Sequence, residues 1–108
     1  MPEWLQPQAM VPSGAWIRLS RERWRHIKRR HPEMAGYGPE ILETLANPDV
    51  ILEGDGGALM ALRRLTSGPH ARKSLVVVYR VQADDEGFVV TAYVARRLKE
   101  GRRILWQV

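Results

Sequence analysis

Two runs rich in β-branched and aromatic residues constrain the fold of this chain most strongly. Ser74–Val81 and Phe88–Val94 each combine Val with Tyr, Phe or Thr, and the segment between them contains Asp84-Asp85-Glu86-Gly87. Residues of the first kind favour strands, and a short acidic link ending in glycine favours a tight turn. The sequence therefore predicts an antiparallel hairpin over residues 74–94.

A helix is predicted ahead of this hairpin. Trp24, Ile27 and His31 recur at helical spacing and form an inward stripe. Ser20 stands where an N-cap is expected, and Pro32 cannot continue a helix. We therefore expect a helix that starts after Ser20 and ends before Pro32.

A second helix is predicted over residues 39–46, ended by Asn47-Pro48. The periodicity then becomes strand-like, and the strand candidates other than the hairpin are residues 15–19, 50–52, 58–66 and 103–106. The simplest arrangement is an α+β fold of two N-terminal helices followed by a four- to five-stranded antiparallel β-meander.

The length of 108 residues suits one domain with a single modest core. We expect this domain over residues 15–108. Residues 1–14 contain several prolines and are predicted to form a mobile N-terminal arm, from which Trp4 and Leu5 could dock on the body.

Positive charge is concentrated in the first predicted helix. Six of the 17 Lys and Arg residues and two of the three His residues lie in residues 21–31, whereas residues 32–62 contain no Lys or Arg at all. One side of the molecule should therefore be basic and another acidic, which favours orientation on a polyanion such as RNA.

Composition also excludes several classes of protein. The chain has no cysteine, so disulfides and thiolate metal sites are excluded, and three histidines do not make a zinc site. We expect neither a metal nor a cofactor. No apolar run approaches the roughly 20 residues of a membrane span, so the sequence is interpreted as that of a soluble, cytoplasmic protein without membrane contact.

The predicted hairpin register assigns polar residues to one face. A turn centred between Asp85 and Glu86 pairs Arg80 with Thr91 and Val78 with Tyr93. The opposite face then collects only apolar side chains and Tyr79, and is expected to cover the core. The pair Arg63-Arg64 on the preceding strand sends one guanidinium to each face, and one of them would join Arg80 in binding phosphate.

On the first helix, His26 and Arg30 are four residues apart and share a side with Arg23. Taken alone, such a charge run is better explained as an ordinary solvated helix face, and Thr91 and Tyr93 are each better explained by β-propensity or packing. Together, however, histidine, clustered arginines and a strand hydroxyl supply the groups needed for metal-free RNA cleavage: a base, an acid and cations for the phosphorane.

Several strings in the chain resemble a group of small prokaryotic and phage proteins. They are the His-Ile-x-x-Arg-His-Pro-Glu string at residues 26–33, Asn47-Pro48-Asp49 and the Val-Thr-Ala-Tyr string at residues 90–93. The group is placed with the barnase/EndoU/colicin/RelE-like nuclease fold, and the resemblance covers about residues 16–106. It implies a RelE- or barnase-like domain that acts as a metal-independent endoribonuclease, a toxin or a phage effector.

The resemblance also implies which residues line the cleft. The candidate catalytic residues are His26, Arg30, His31, Arg80, Thr91 and Tyr93. In this hypothesis His26 is the general acid or base, Arg80 binds the phosphorane and Thr91 is its hydrogen-bonding partner. The candidate nucleic-acid-binding residues are Arg23, Arg63, Arg64 and Arg96.

Two other functions fit the same residues. A nucleic-acid-binding module would hold phosphates without cleaving them. A protein-interaction domain would instead dock an acidic segment of an antitoxin-like or inhibitor protein. The sequence leaves open the RNA preference, ribosome dependence, oligomeric state and which histidine is the acid.

Overall fold

Two short strands precede the first helix. In the computed structural model, which describes residues 7–98 and 100–108, β1 (Gln8–Met10) pairs antiparallel with β2 (Trp16–Arg18). Ala9 and Ile17 are buried in the core. The expected arm over residues 1–14 therefore includes β1, whereas its residues 1–6, with Trp4 and Leu5, lie outside the described residues.

The two helices form where the sequence predicts them. Helix α1 (Arg21–Arg30) starts at Ser20, whose Oγ accepts a hydrogen bond of 3.0 Å from the Arg23 backbone N–H. A 3-10 turn at Pro32–Met34 follows, and α2 (Gly38–Ala46) carries its proline in the first turn. Ile41 and Leu45 are fully buried and form the inward face of α2.

The other strands complete a curled, seven-stranded sheet. They are β3 (Val50–Glu53), β4 (Leu59–Arg64), β5 (Ser74–Ala83), β6 (Glu86–Ala95) and β7 (Ile104–Gln107). The order across the sheet is β1-β2-β6-β5-β4-β3-β7. A 3-10 turn at Asp55–Gly57 joins β3 to β4.

The predicted layout of two helices followed by a four- to five-stranded antiparallel meander is wrong. Two strands come before α1, and β2 joins the sheet in parallel with β6, with Ile17 opposite Gly87. The sheet is therefore mixed and has seven strands. Parallel neighbours need a long crossover connection, and here the connection contains both helices and β3 to β5.

The predicted register of the β5–β6 hairpin is also wrong. Val78 faces Thr91, Val76 faces Tyr93 and Arg80 faces Phe88. The reason is a tighter turn, because Ala83 already pairs with Glu86 and leaves only two residues between them. Thr91 and Tyr93 pair with residues two positions earlier on β5 than predicted. A shift by two residues does not change the face of the sheet, so both side chains stay on the predicted face.

Both faces of the sheet are partly covered. Both helices contribute to the main core on one face, where Ile27, Ile41 and Tyr79 are buried. A second, smaller cluster lies on the other face and contains Leu52, Met60, Leu62 and Val76. This is the face expected to carry phosphate-binding groups, and part of it is occupied by packing instead.

Described residues between β6 and β7 lie on this second face. Among them, Leu98 and Arg102 lie over Leu52, Met60 and Tyr93. Arg102 donates hydrogen bonds of 3.1 Å to Asp55 Oδ1 and 3.2 Å to the Glu53 carbonyl. No helix within residues 7–98 and 100–108 is long and apolar enough to cross a membrane.

Candidate functional site

An open cleft lies between α1 and β6. Strand β6 pairs with β2 only through Glu86–Phe88, and beyond that point α1 and the Pro32–Met34 turn lie against it. The cleft has a volume of about 350 Å³. Its lining residues are Arg23, His26, Arg30, His31, Val90, Thr91 and Tyr93.

Burial of one side of α1 determines which residues enter the cleft. Ile27 is fully buried, and Trp24 packs against the same core. Because neighbouring positions on a helix differ by about 100°, anchoring Ile27 leaves His26 and Arg30 on the side that faces β6. The outer side of the helix carries Glu22, Arg25, Lys28 and Arg29.

A β-bulge shapes the opposite wall of the cleft. The β5–β6 register shifts between Val78 and Tyr79, so Val90 is an extra residue on β6. In a regular strand Val90 and Thr91 would point to opposite faces, but both line the cleft here. The bulge therefore brings the Thr91 hydroxyl and an apolar neighbour to the same wall.

His31 is held where α1 ends. It is the C-cap residue, and its backbone N–H donates a hydrogen bond of 2.7 Å to the Ile27 carbonyl. Its ring lies 5.6 Å from that of Tyr93, measured between centroids, and its Nδ1 is 3.8 Å from Glu33 Oε2. Glu33 is the carboxylate that could orient this imidazole, while His26 forms no ion pair with any described residue.

Arg80 lies away from the cleft. Its Nη1 donates a hydrogen bond of 2.7 Å to the Gly56 carbonyl, in the turn between β3 and β4. In the sheet order, that turn and β6 lie on opposite sides of β5. The predicted approach of Arg80 to Thr91 depended on the wrong register, and the structure does not bring the two side chains together.

Arg63 and Arg64 also lie outside the α1–β6 cleft. Arg63 donates to the Asn47 carbonyl and lies 3.8 Å from the Glu43 carboxylate, so it ties β4 to the end of α2. The Arg64 side chain is exposed, and its backbone N–H donates to Asp49.

Arg96 lines a neighbouring pocket that also contains Glu33, His70, Lys73 and Val94. Sequence reasoning missed His70 and Lys73. The available signal was the Pro-His-Ala-Arg-Lys string at residues 69–73, a basic cluster in a loop between two strands.

The chemistry of the cleft is that of a cationic surface with two imidazoles. Arg23 and Arg30 can hold anionic oxygens, His26 and His31 can transfer protons, and Thr91 can donate or accept a hydrogen bond. In the described part of the chain, no group of three His, Asp or Glu side chains is placed to hold a metal ion.

No protein-family model, curated protein or solved structure matches this chain.

Proposed function

We propose that this protein is a metal-independent endoribonuclease whose active site is the α1–β6 cleft. The observation that supports the proposal is the convergence of His26, His31, Arg30 and Thr91 on one cleft from two elements that are distant in sequence. Acid–base catalysis on RNA needs two proton-transfer groups beside a phosphate-binding cation, and these residue types supply all three.

Each residue has a role in this proposal. His31, with the Glu33 carboxylate 3.8 Å from its Nδ1, takes the proton of the 2′-hydroxyl, since a nearby carboxylate stabilises the imidazolium that forms. His26 gives a proton to the leaving oxygen. Arg23 and Arg30 hold the phosphorane charge, a role that Arg80 cannot take from its position beside Gly56.

The reaction conserves atoms and charge without a further reactant. The 2′-oxygen attacks the adjacent phosphorus as His31 accepts its proton, and the bond from phosphorus to the 5′-oxygen breaks as His26 protonates that oxygen. The products are a 2′,3′-cyclic phosphate and a free 5′-hydroxyl. Water need not enter this step.

The resemblance to the small prokaryotic and phage nuclease group belongs to the same proposal. The strings that carry it include His26, Arg30, His31 and Thr91, all of which line the cleft. A toxin or phage effector with RNA as substrate, restrained by an inhibitor protein, is the biological role that this resemblance suggests. The helices-then-meander layout is not part of the proposal.

The test is cleavage of a labelled single-stranded RNA in EDTA by the wild-type protein, His26→Ala and His31→Ala. We expect wild-type fragments that end in 2′,3′-cyclic phosphate, and a loss of at least about 100-fold in each variant, as is typical of acid–base groups. Arg29→Ala is the control, because this side chain lies on the outer side of α1, away from the cleft. Intact RNA with the wild-type protein would reject the proposal.

A non-catalytic RNA-binding module is the second candidate. The observation that favours it is the absence of any described carboxylate paired with His26, together with the displacement of Arg80 from the cleft. The same experiment separates the two candidates, because a binding module shifts RNA on a gel at low salt but releases no fragment.

A further inference from the structure

A second pocket lies beside the cleft. It is also lined by basic side chains, but most of them come from other elements of the fold. It has a volume of about 290 Å³ and is lined by Glu33, His70, Lys73, Val94 and Arg96. Three of these side chains are cationic or can become so, and they come from the β4–β5 loop and from the end of β6. Nothing in the proposed reaction uses them.

The loop that supplies His70 and Lys73 has a fixed shape. The Leu65 N–H donates to the Lys73 carbonyl at 2.8 Å, and the Arg72 N–H donates back to the Leu65 carbonyl at 2.9 Å. Arg72 has a φ of 73°, a left-handed conformation that is unfavourable for an arginine. Such strain is retained where the surrounding structure holds it, often at functional sites.

Lys73 and Arg96, the two cations of the pocket, form no ion pair with a described residue. The lining also contains one carboxylate, that of Glu33, which lies 3.8 Å from His31 in the cleft. Lys73 Nζ is 3.5 Å from His70 Nδ1, and the His70 ring lies 5.8 Å from that of Tyr37. Two cations and an imidazole therefore face a space open to an anion.

The pocket adjoins the cleft around the edge of β6. Thr91 and Tyr93 line the cleft, whereas Val94 packs on the opposite face of the sheet and lines the pocket with Arg96. The two spaces come close at the Pro32–Met34 turn, where Glu33 of the pocket lies 3.8 Å from His31 of the cleft. At about 3.3 Å per residue, Thr91 and Arg96 are about 17 Å apart along the strand, and a path around its edge is at least as long. A stacked strand rises roughly 3.4 Å per nucleotide, so this path accommodates several nucleotides.

We propose that Lys73, Arg96 and His70 form a second phosphate subsite, which binds the backbone of an RNA strand beyond the phosphate held in the α1–β6 cleft. This inference rests on the proposed function, and it specifies the substrate as a strand several nucleotides long. A dinucleotide fills only the cleft, whereas a longer strand reaches both sites.

The experiment measures binding of uncleavable RNA in which every 2′-hydroxyl is methylated. A dinucleotide and a decanucleotide are titrated against the wild-type protein and the variants Lys73→Ala, Arg96→Ala, Arg97→Ala and Arg30→Ala. Arg97 is the matched control for Arg96, because it is the next residue along but lies with Leu98 and Arg102 on the other side of the sheet.

We expect Lys73→Ala and Arg96→Ala each to weaken decanucleotide binding about tenfold and to leave dinucleotide binding unchanged. The slope of log affinity against log salt concentration should fall in magnitude by about one, as for the loss of one phosphate contact. Arg97→Ala should change neither affinity by more than about twofold. Equal decanucleotide affinities for Arg96→Ala and Arg97→Ala would overturn the subsite.

The arms of the experiment separate the two proposals. A loss of affinity in Arg30→Ala but not in Arg96→Ala or Lys73→Ala rejects the subsite and leaves the cleft in place. A loss in Arg96→Ala but not in Arg30→Ala rejects the cleft as the site of RNA contact. A wild-type protein that binds neither oligonucleotide overturns both.

Discussion

The buried phenol of Tyr79 makes the stability of this protein sensitive to alkaline pH. Tyr79 lies on β5 in the middle of the main core and is 1 % exposed. Burial disfavours the phenolate and raises the pKa of Tyr79 from 10.0 to about 12. The unfolded chain therefore releases this proton about two pH units earlier than the folded protein does.

The sign and size of the effect follow from linkage. Because the folded-state pKa is the higher one, the contribution is fully present below pH 10 and is lost as the pH rises towards 12. A shift of one unit corresponds to about 1.4 kcal/mol, so by pH 12 the free energy of unfolding should fall by about 2 kcal/mol through this group.

Urea unfolding at a series of pH values from 8 upwards measures this loss. We expect the stability of Tyr79→Phe to decline less steeply than that of the wild-type protein above pH 10, whatever its stability at pH 8. Val77→Ala is the control, because it perturbs the same core without removing a titratable group, so its curve should run parallel to that of the wild-type protein. Parallel curves for the wild-type protein and Tyr79→Phe would refute the reasoning.

Three further predictions concern the elements that hold the cleft. Ser20→Ala removes the acceptor of the Arg23 N–H and should lower the free energy of unfolding in urea by about 1 kcal/mol, whereas Ser20→Asp should change it little. Equal losses of stability in the two variants would contradict the capping role. Ile27→Ala should cost about 2–5 kcal/mol and Ile27→Val about 1 kcal/mol, because this side chain is fully buried; a loss under 1 kcal/mol for Ile27→Ala would argue against its anchoring α1. Gly87→Ala should lower the free energy of unfolding by about 1–3 kcal/mol, and with it the melting temperature, because a Cβ there would collide with the Arg80 carbonyl of β5. An unchanged melting temperature would show that the hairpin adjusts to the added Cβ without loss of stability.

Local signals explain what could be predicted of the fold. Helix α1 has its start at Ser20 and its stop at Pro32, and α2 has its stop at Asn47-Pro48, so the predicted helix bounds agree closely with those observed. The pairing of β2 with β6 has no such signal, because it joins two three-residue segments across most of the chain. No periodicity within residues 16–18 shows whether they pair in parallel or antiparallel.

Local spacing likewise predicted part of the candidate site. His26 and Arg30 share a helix side by spacing alone, and Thr91 and Tyr93 share a strand face by alternation, so their residue types and faces could be read directly. Arg80 could not be placed, since a two-residue turn and one bulge move its partner from Thr91 to Phe88. Lys73 was missed because it lies in the β4–β5 loop, where no helix or strand periodicity indicates which way a side chain faces.

The most direct test of the α1–β6 cleft compares two neighbouring arginines on one helix. Arg30 lines the cleft, whereas Arg29 lies on the outer side with Arg25 and Lys28, and the two alanine variants lose the same charge. With single-stranded RNA in EDTA, we predict that Arg30→Ala lowers the cleavage rate about 10- to 100-fold, as expected for a lost charged hydrogen bond to phosphate, while Arg29→Ala stays within about twofold of the wild-type protein. Equal rates for the two variants, or a larger loss in Arg29→Ala, would contradict the account.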